Sequence, residues 1–174
     1  MQKSIWIFGG IAGVLCAVLE YLFFNSSEGS ANVMYATKLV VLVVCLSFGL
    51  VWIRRQLGGT VSIARTLLSG IMISLVRATV MIASFTFFYY PTGDFYKPKL
   101  EESYVQAEKK ISSDDKIKSA DKEMVLEETK KQIANQYTPQ GYMLITVGMS
   151  LVTGFIFSVL MAAFISTNLM YKTE

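Results

Sequence analysis

Four stretches of this chain are apolar enough and long enough to cross the hydrocarbon of a bilayer, which constrains its fold more than any motif it carries. A helical span needs about 20 apolar residues, because the helix rises about 1.5 Å per residue through a core about 30 Å thick. Residues 4–24, 33–53, 70–90 and 142–165 each meet that length, with at most one charged residue apiece. Backbone polar groups in lipid must bond within their own segment, so such runs are helices. The charges are segregated accordingly. No Asp, Glu, Lys or Arg occurs between Gln132 and Tyr171, whereas residues 94–131 hold ten acidic side chains and nine lysines. The chain therefore reads as all-α: an integral membrane four-helix bundle with an extracytoplasmic amphipathic helical segment between spans three and four.

Three regions follow. Residues 1–90 carry the first three spans, 91–141 the charged segment, and 142–174 the fourth span with a short cytoplasmic tail. Lys3 precedes an apolar run too long for a signal-peptide core. The nearest small-x-small tripeptide, Gly29-Ser30-Ala31, lies well past that run, so the first span is read as retained. The apolar pattern from Val61 to Tyr90 is longer than one span requires. The expected solution is an interfacial turn over 61–69 and a tilted span over 70–90, stopped by Pro91-Thr92-Gly93. Within the charged segment, Pro98 suits a first helical turn, and Leu100, Tyr104, Ala107 and Ile111 form a narrow stripe. A break at 112–115 precedes a second helix over 116–135, with a weaker stripe of Ile117, Met124 and Ile133. Thr138-Pro139 is an N-cap and first-turn pair for the last span.

Arg54, Arg55 and Arg65 cluster in the short connection between spans two and three. The positive-inside rule places that loop, and with four spans both termini, in the cytoplasm. The nine lysines of the charged segment weigh the other way, but the arginines abut the span ends. Trp6, Trp52 and Tyr171 mark one interface, and Tyr21, Tyr35, Tyr89, Tyr90 and Tyr142 the other.

Small residues recur every four positions in two spans: Gly9, Gly13 and Ala17 in the first, and Ser150, Gly154, Ser158, Ala162 and Ser166 in the last. Such faces let helix backbones approach closely in lipid, either within the chain or with a partner. Glu20 is the one acidic residue within a span, and Lys38, at similar depth in the second, is its expected partner. Arg77 is read as seven residues inside the cytoplasmic start of its span, its guanidinium snorkelling to that surface. About 13–14 Å of depth then separates it from Glu20, so the two are not expected to pair. Cys16 and Cys45 read as small apolar packing residues.

Histidine is absent, which removes the usual general base and the commonest metal ligand. No H-E-x-x-H, G-x-S-x-G or P-loop motif is present, so no catalytic, cofactor or metal residues are assigned. The net charge of +3 forms no basic stripe, so nucleic acid is not an expected partner.

Read whole, the chain resembles the bacterial membrane proteins grouped as domain of unknown function 4199, found mainly in Bacteroidota. The resemblance lies in the four-span order and in the basic loop followed by Gly59-Thr60-Val61-Ser62-Ile63-Ala64, with Gly70 opening the third span. The charged segment ending in Tyr137-Thr138-Pro139 and the small-residue fourth span with Gly148 and Gly154 complete it. It implies the cytoplasmic (inner) membrane of a Gram-negative bacterium and supplies no catalytic residues. The favoured role is a non-enzymatic interaction or scaffold subunit acting through its small-residue faces and charged segment, with a homo-oligomer or another membrane protein as partner. The alternatives are a small transporter or channel subunit using Glu20 and Arg77, and a membrane enzyme acting on lipid or envelope substrates.

Overall fold

The computed structural model describes residues 2–25, 31–59, 61–93, 96–114, 117–118 and 121–166. Among the described residues six helices follow in order: α1 (Gln2–Asn25), α2 (Ala31–Gln56), α3 (Ile63–Ser84), α4 (Lys97–Ser113), α5 (Lys122–Gln136) and α6 (Pro139–Ser166). A π-helical stretch, Phe85–Tyr89, and a last turn, Tyr90–Thr92, carry α3 onward without a break. Four segments are long and apolar enough to span a membrane: Gln2–Phe23, Val33–Gln56, Ile63–Thr92 and Pro139–Phe164. Large apolar side chains such as Trp6, Val40, Phe48, Leu68, Phe87, Leu144 and Phe155 face outward. Serines 4, 69, 74, 150 and 158 and the charged Glu20, Lys38 and Arg77 are buried. That distribution suits a lipid solvent, in which exposed apolar surface is no liability and close packing supplies the cohesion.

The third span corrects the expectation of a separate turn at 61–69. Ser62 caps α3, its hydroxyl accepting from the Arg65 N–H at 3.4 Å, and the helix runs unbroken from Ile63. Ahead of it, Gly58 and Gly59 adopt positive φ (76° and 90°), and the Arg54 Nε donates to the Gly59 carbonyl at 2.7 Å. Arg54 is thus buried as the clasp of the turn, while Arg55 and Arg65 are exposed. This end of the bundle is called the loop end below.

α3 is the central helix, and both small-residue faces pack on it. A Cβ at Gly9 would lie 2.6 Å from Val76 Cβ, and one at Gly13 equally close to Val80 Cβ. On the other side, Gly154 lies against Ser74, and Ser158 against Gly70. The antiparallel register of those two pairs sets Ala162 opposite Thr66 and Ser150 opposite Ala78. α3 thus carries its own small-residue stripe, Thr66, Gly70, Ser74 and Ala78, also repeating every four residues. Nearer the loop end the bundle closes through Ile5, Ile53, Ile73 and Val76, and through Leu46 and Leu50 against Phe157 and Met161.

α4 and α5 form an antiparallel hairpin at the opposite end. Ile111 is buried between them, Lys122 Nζ donates to the Ser112 carbonyl at 2.7 Å, and Lys130 reaches Glu108 at 3.9 Å. The second hairpin helix begins at Lys122 rather than 116, with Ile117 ahead of it and residues 115, 116, 119 and 120 outside the described set. Met124 is exposed; Val125, Leu126 and Thr129 join the expected Ile133 in the inward stripe. Thr138 caps α6, accepting from the Gly141 N–H at 3.1 Å. Gly141 abuts the Asn135 carbonyl, so a two-residue link suffices between α5 and α6.

Candidate functional site

The helices that pack tightly at the loop end part toward the hairpin and leave a cavity of about 930 Å³ between α1, α2, α3 and α6, roofed by α4 and the end of α5. Its polar floor and walls are Glu20, Lys38, Arg77, Tyr142 and Thr146; its roof presents Lys99, Glu102, Gln106 and Lys110. Glu20 is 4% exposed, and one of its oxygens, Oε2, receives both the Lys38 ammonium at 3.2 Å and the Tyr142 hydroxyl at 2.7 Å. A buried carboxylate is tolerated when a counter-charge and a hydrogen bond meet it together.

Tyr142 is held for this contact by Phe85, whose ring stacks on it with centroids 4.0 Å apart and planes 8° from parallel. Phe85 opens the π-helical stretch, where one extra residue per turn re-aims the side chains beyond it. In that stretch the Tyr89 hydroxyl donates to the Ala17 carbonyl at 2.8 Å. A chain of rings, Phe85 to Tyr90, Tyr90 to Tyr96 and Tyr96 to Tyr137, continues from the ion pair to the base of the hairpin. Of the tyrosines read as interface markers, Tyr89 is buried within the bundle and Tyr142 lines the cavity. Tyr171 lies outside the described residues.

Arg77 departs most from expectation. With α3 continuous from Ile63 to Thr92, it lies mid-span, about 21 Å from the helix start. Snorkelling toward the loop end is out of reach. A Cβ at Gly13 would lie 3.1 Å from the Arg77 carbonyl, yet the guanidinium contacts Cys16, three residues farther toward the hairpin. Arg77 therefore extends into the cavity, 9% exposed, its Nε donating to Cys16 Sγ at 3.3 Å and an Nη to Ser150 Oγ at 3.2 Å. Cys16 sits four residues, or about 6 Å, from Glu20, so the two charges share one cavity without pairing.

Both partners of Arg77 are neutral. Among the described residues no carboxylate lies within ion-pair distance of it. The cavity's two carboxylates are engaged by lysines, Glu20 by Lys38 and Glu102 by Lys99 at 3.1 Å. Four basic and two acidic side chains line the space, and of the four cations Lys38 and Lys99 are the two with ion-pair partners among the described residues.

Sequence reasoning missed Cys16, Ser150 and Tyr142 as members of this cluster. Cys16 is no inert packing residue, since its sulfur accepts from Arg77 and its thiol approaches the Lys38 carbonyl at 3.8 Å. Ser150 stood out for its size, and its hydroxyl is what Arg77 uses.

These features define a polytopic helical membrane protein with a charged cavity within its bundle. The family model described as Protein of unknown function (DUF4199) matches residues 7–167, and the chain belongs to that family. No curated protein and no solved structure matches it.

Proposed function

We propose that this protein is a membrane-embedded binding subunit, and that the group it holds is an anion seated against Arg77. One observation carries the reading: a buried guanidinium that faces a cavity and, among the described residues, has a thiol and a hydroxyl for partners and no carboxylate. Guanidinium carries five N–H donors, and burying such a charge without an opposite one costs several kcal/mol. A ligand anion would remove that cost. The cavity volume falls within the range of about 300–1,000 Å³ typical of small-molecule sites. With Arg55 and Arg65 on the cytoplasmic side by the positive-inside rule, both termini are inside and the cavity opens toward the outer leaflet. The hairpin is then extracytoplasmic, as in the inner-membrane placement that the family resemblance implies.

The interaction-subunit reading stands second. The small-residue faces that motivated it lie against α3, which leaves the hairpin, with Val105 and Met124 exposed, as its support.

Calorimetric titration of the full-length chain in mild detergent, with glycerol phosphate and with short-chain phosphatidylglycerol as probes, tests the proposal. At least one probe should bind, and Arg77→Gln should weaken it by about tenfold or more, since a charged hydrogen bond is worth about 1.5–3 kcal/mol. Equal affinity of the two proteins for every probe that binds would overturn it.

A further inference from the structure

The cavity is not sealed from the bilayer, and the place where it opens narrows its occupant. α2 and α6 touch at Leu46 and Leu50 against Phe157 and Met161, where Ser47 Oγ lies 3.6 Å from Met161 Sδ. From that contact toward the hairpin the two helices separate, with the cavity between them. Tyr35 and Leu39 on one side and Ile145 and Met149 on the other line the cavity while being 61%, 40%, 45% and 57% exposed. These side chains line the cavity and keep much of their surface accessible where α2 and α6 part. The slot runs from Leu46 to Tyr35, eleven residues or about 16 Å, which is about half of a 30 Å hydrocarbon core. It is a one-leaflet opening with largely apolar jambs, leading to a space that carries Arg77, which has no carboxylate partner among the described residues, Lys110, and the amide-bearing Gln106 and Gln136.

We propose that the occupant is an anionic lipid: its phosphate-type headgroup sits against Arg77 and Lys110, and its acyl chains leave between α2 and α6 into the bilayer. The inference rests on the anion reading of the cavity and adds the tail and its route. A free anion would need the cations but not the slot. A neutral lipid would use the slot but leave Arg77 unmet. Headgroup and tail together account for both features.

The test is native mass spectrometry of the full-length protein, incubated separately with phosphatidylglycerol, with diacylglycerol of the same tails, which has no phosphate, and with glycerol phosphate. Phosphatidylglycerol should be retained about tenfold or more over diacylglycerol, and glycerol phosphate should neither be retained nor displace it at equal concentration. Thr153→Trp and Leu39→Trp add bulk to the cavity lining from α6 and α2 while keeping Arg77 itself, and each should lower retention of phosphatidylglycerol by a similar factor. Gly148→Trp adds the same bulk where nothing lies within 4 Å and should leave retention unchanged. Arg77-dependent retention of glycerol phosphate without retention of phosphatidylglycerol would overturn the lipid assignment and leave the anion site standing. Equal retention of the two lipids would sink both, as would retention of none of the three probes. Retention unaltered by either slot variant would refute the proposed route. The comparison of wild-type retention decides the lipid assignment even where a tryptophan variant fails to fold.

Discussion

The two ends of the bundle are made by the same four helices and pack by opposite rules. Toward the loop end, glycine, serine and branched aliphatic residues bring α1, α2 and α6 onto α3 until backbones nearly touch, as at Gly9 against Val76 and Gly154 against Ser74. Toward the hairpin, Glu20, Lys38, Arg77 and Tyr142 hold the helices around a space. The contrast teaches that α3 serves as a backbone for packing along one half and as a carrier of charge along the other. The change of role comes near Ser74 and Arg77, within a single turn of helix.

The comparison can be broken most forcefully at the open end. Glu20→Gln leaves Lys38 buried without its counter-ion, and breaking such a pair from one side costs about 3–5 kcal/mol. Unfolding in mixed micelles should show that loss, and the double variant Glu20→Gln with Lys38→Met should recover most of it. If the single variant is as stable as the wild type, Glu20 and Lys38 do not organise this half. At the closed end, Gly154→Leu drives bulk into Ser74 and should cost about 1–3 kcal/mol, as overpacking does in tight cores. The same substitution at Gly148, where the surroundings are open, is the matched control and should be close to neutral by the same assay. Equal effects at the two glycines would mean that α6 does not seat on α3 by the register described. The smallest effect belongs to the hairpin. Glu108→Gln removes an exposed partner of Lys130 and should shift stability by no more than about 1 kcal/mol. A larger shift would show that the hairpin surface, and not only its base, supports the bundle.

The spans were legible because hydropathy is a local property, and the start of α6 was legible because Thr138-Pro139 carries its own capping chemistry. Glu20 and Lys38 could be matched from depth alone, since both stand close to the same ends of neighbouring helices. The stripe of α3 was present at the same four-residue spacing as that of α6. Dividing the apolar run at residues 69 and 70 cut through it, and Ser62, in the N-cap position before Ile63, was the sign that the helix starts earlier. The direction of Arg77 was beyond sequence reasoning, because it depends on which neighbours leave room. Cys16 and Ser150 receive it from two other helices, and neither lies near Arg77 in the chain. Tyr142 was hidden for another reason. A tyrosine at the end of a span reads as an interface anchor whether it faces lipid or the interior, and the stacking on Phe85 that turns it inward depends on a π-helical stretch with no local signature.

The order of the chain sets when the cavity's polar network can close. Glu20, Lys38, Arg77 and Cys16 all lie within the first 92 residues, whereas Tyr142 and Ser150 belong to a helix that the ribosome makes only after the whole hairpin. A nascent protein stopped before residue 139 would hold Arg77 with a thiol alone and Glu20 with Lys38 alone, and the groove along Thr66, Gly70 and Ser74 would lie open to any helix nearby. Arrival of α6 fills that groove and completes both polar contacts in one docking event. The helix made after the other three spans is thus the one that commits the bundle to its native neighbours.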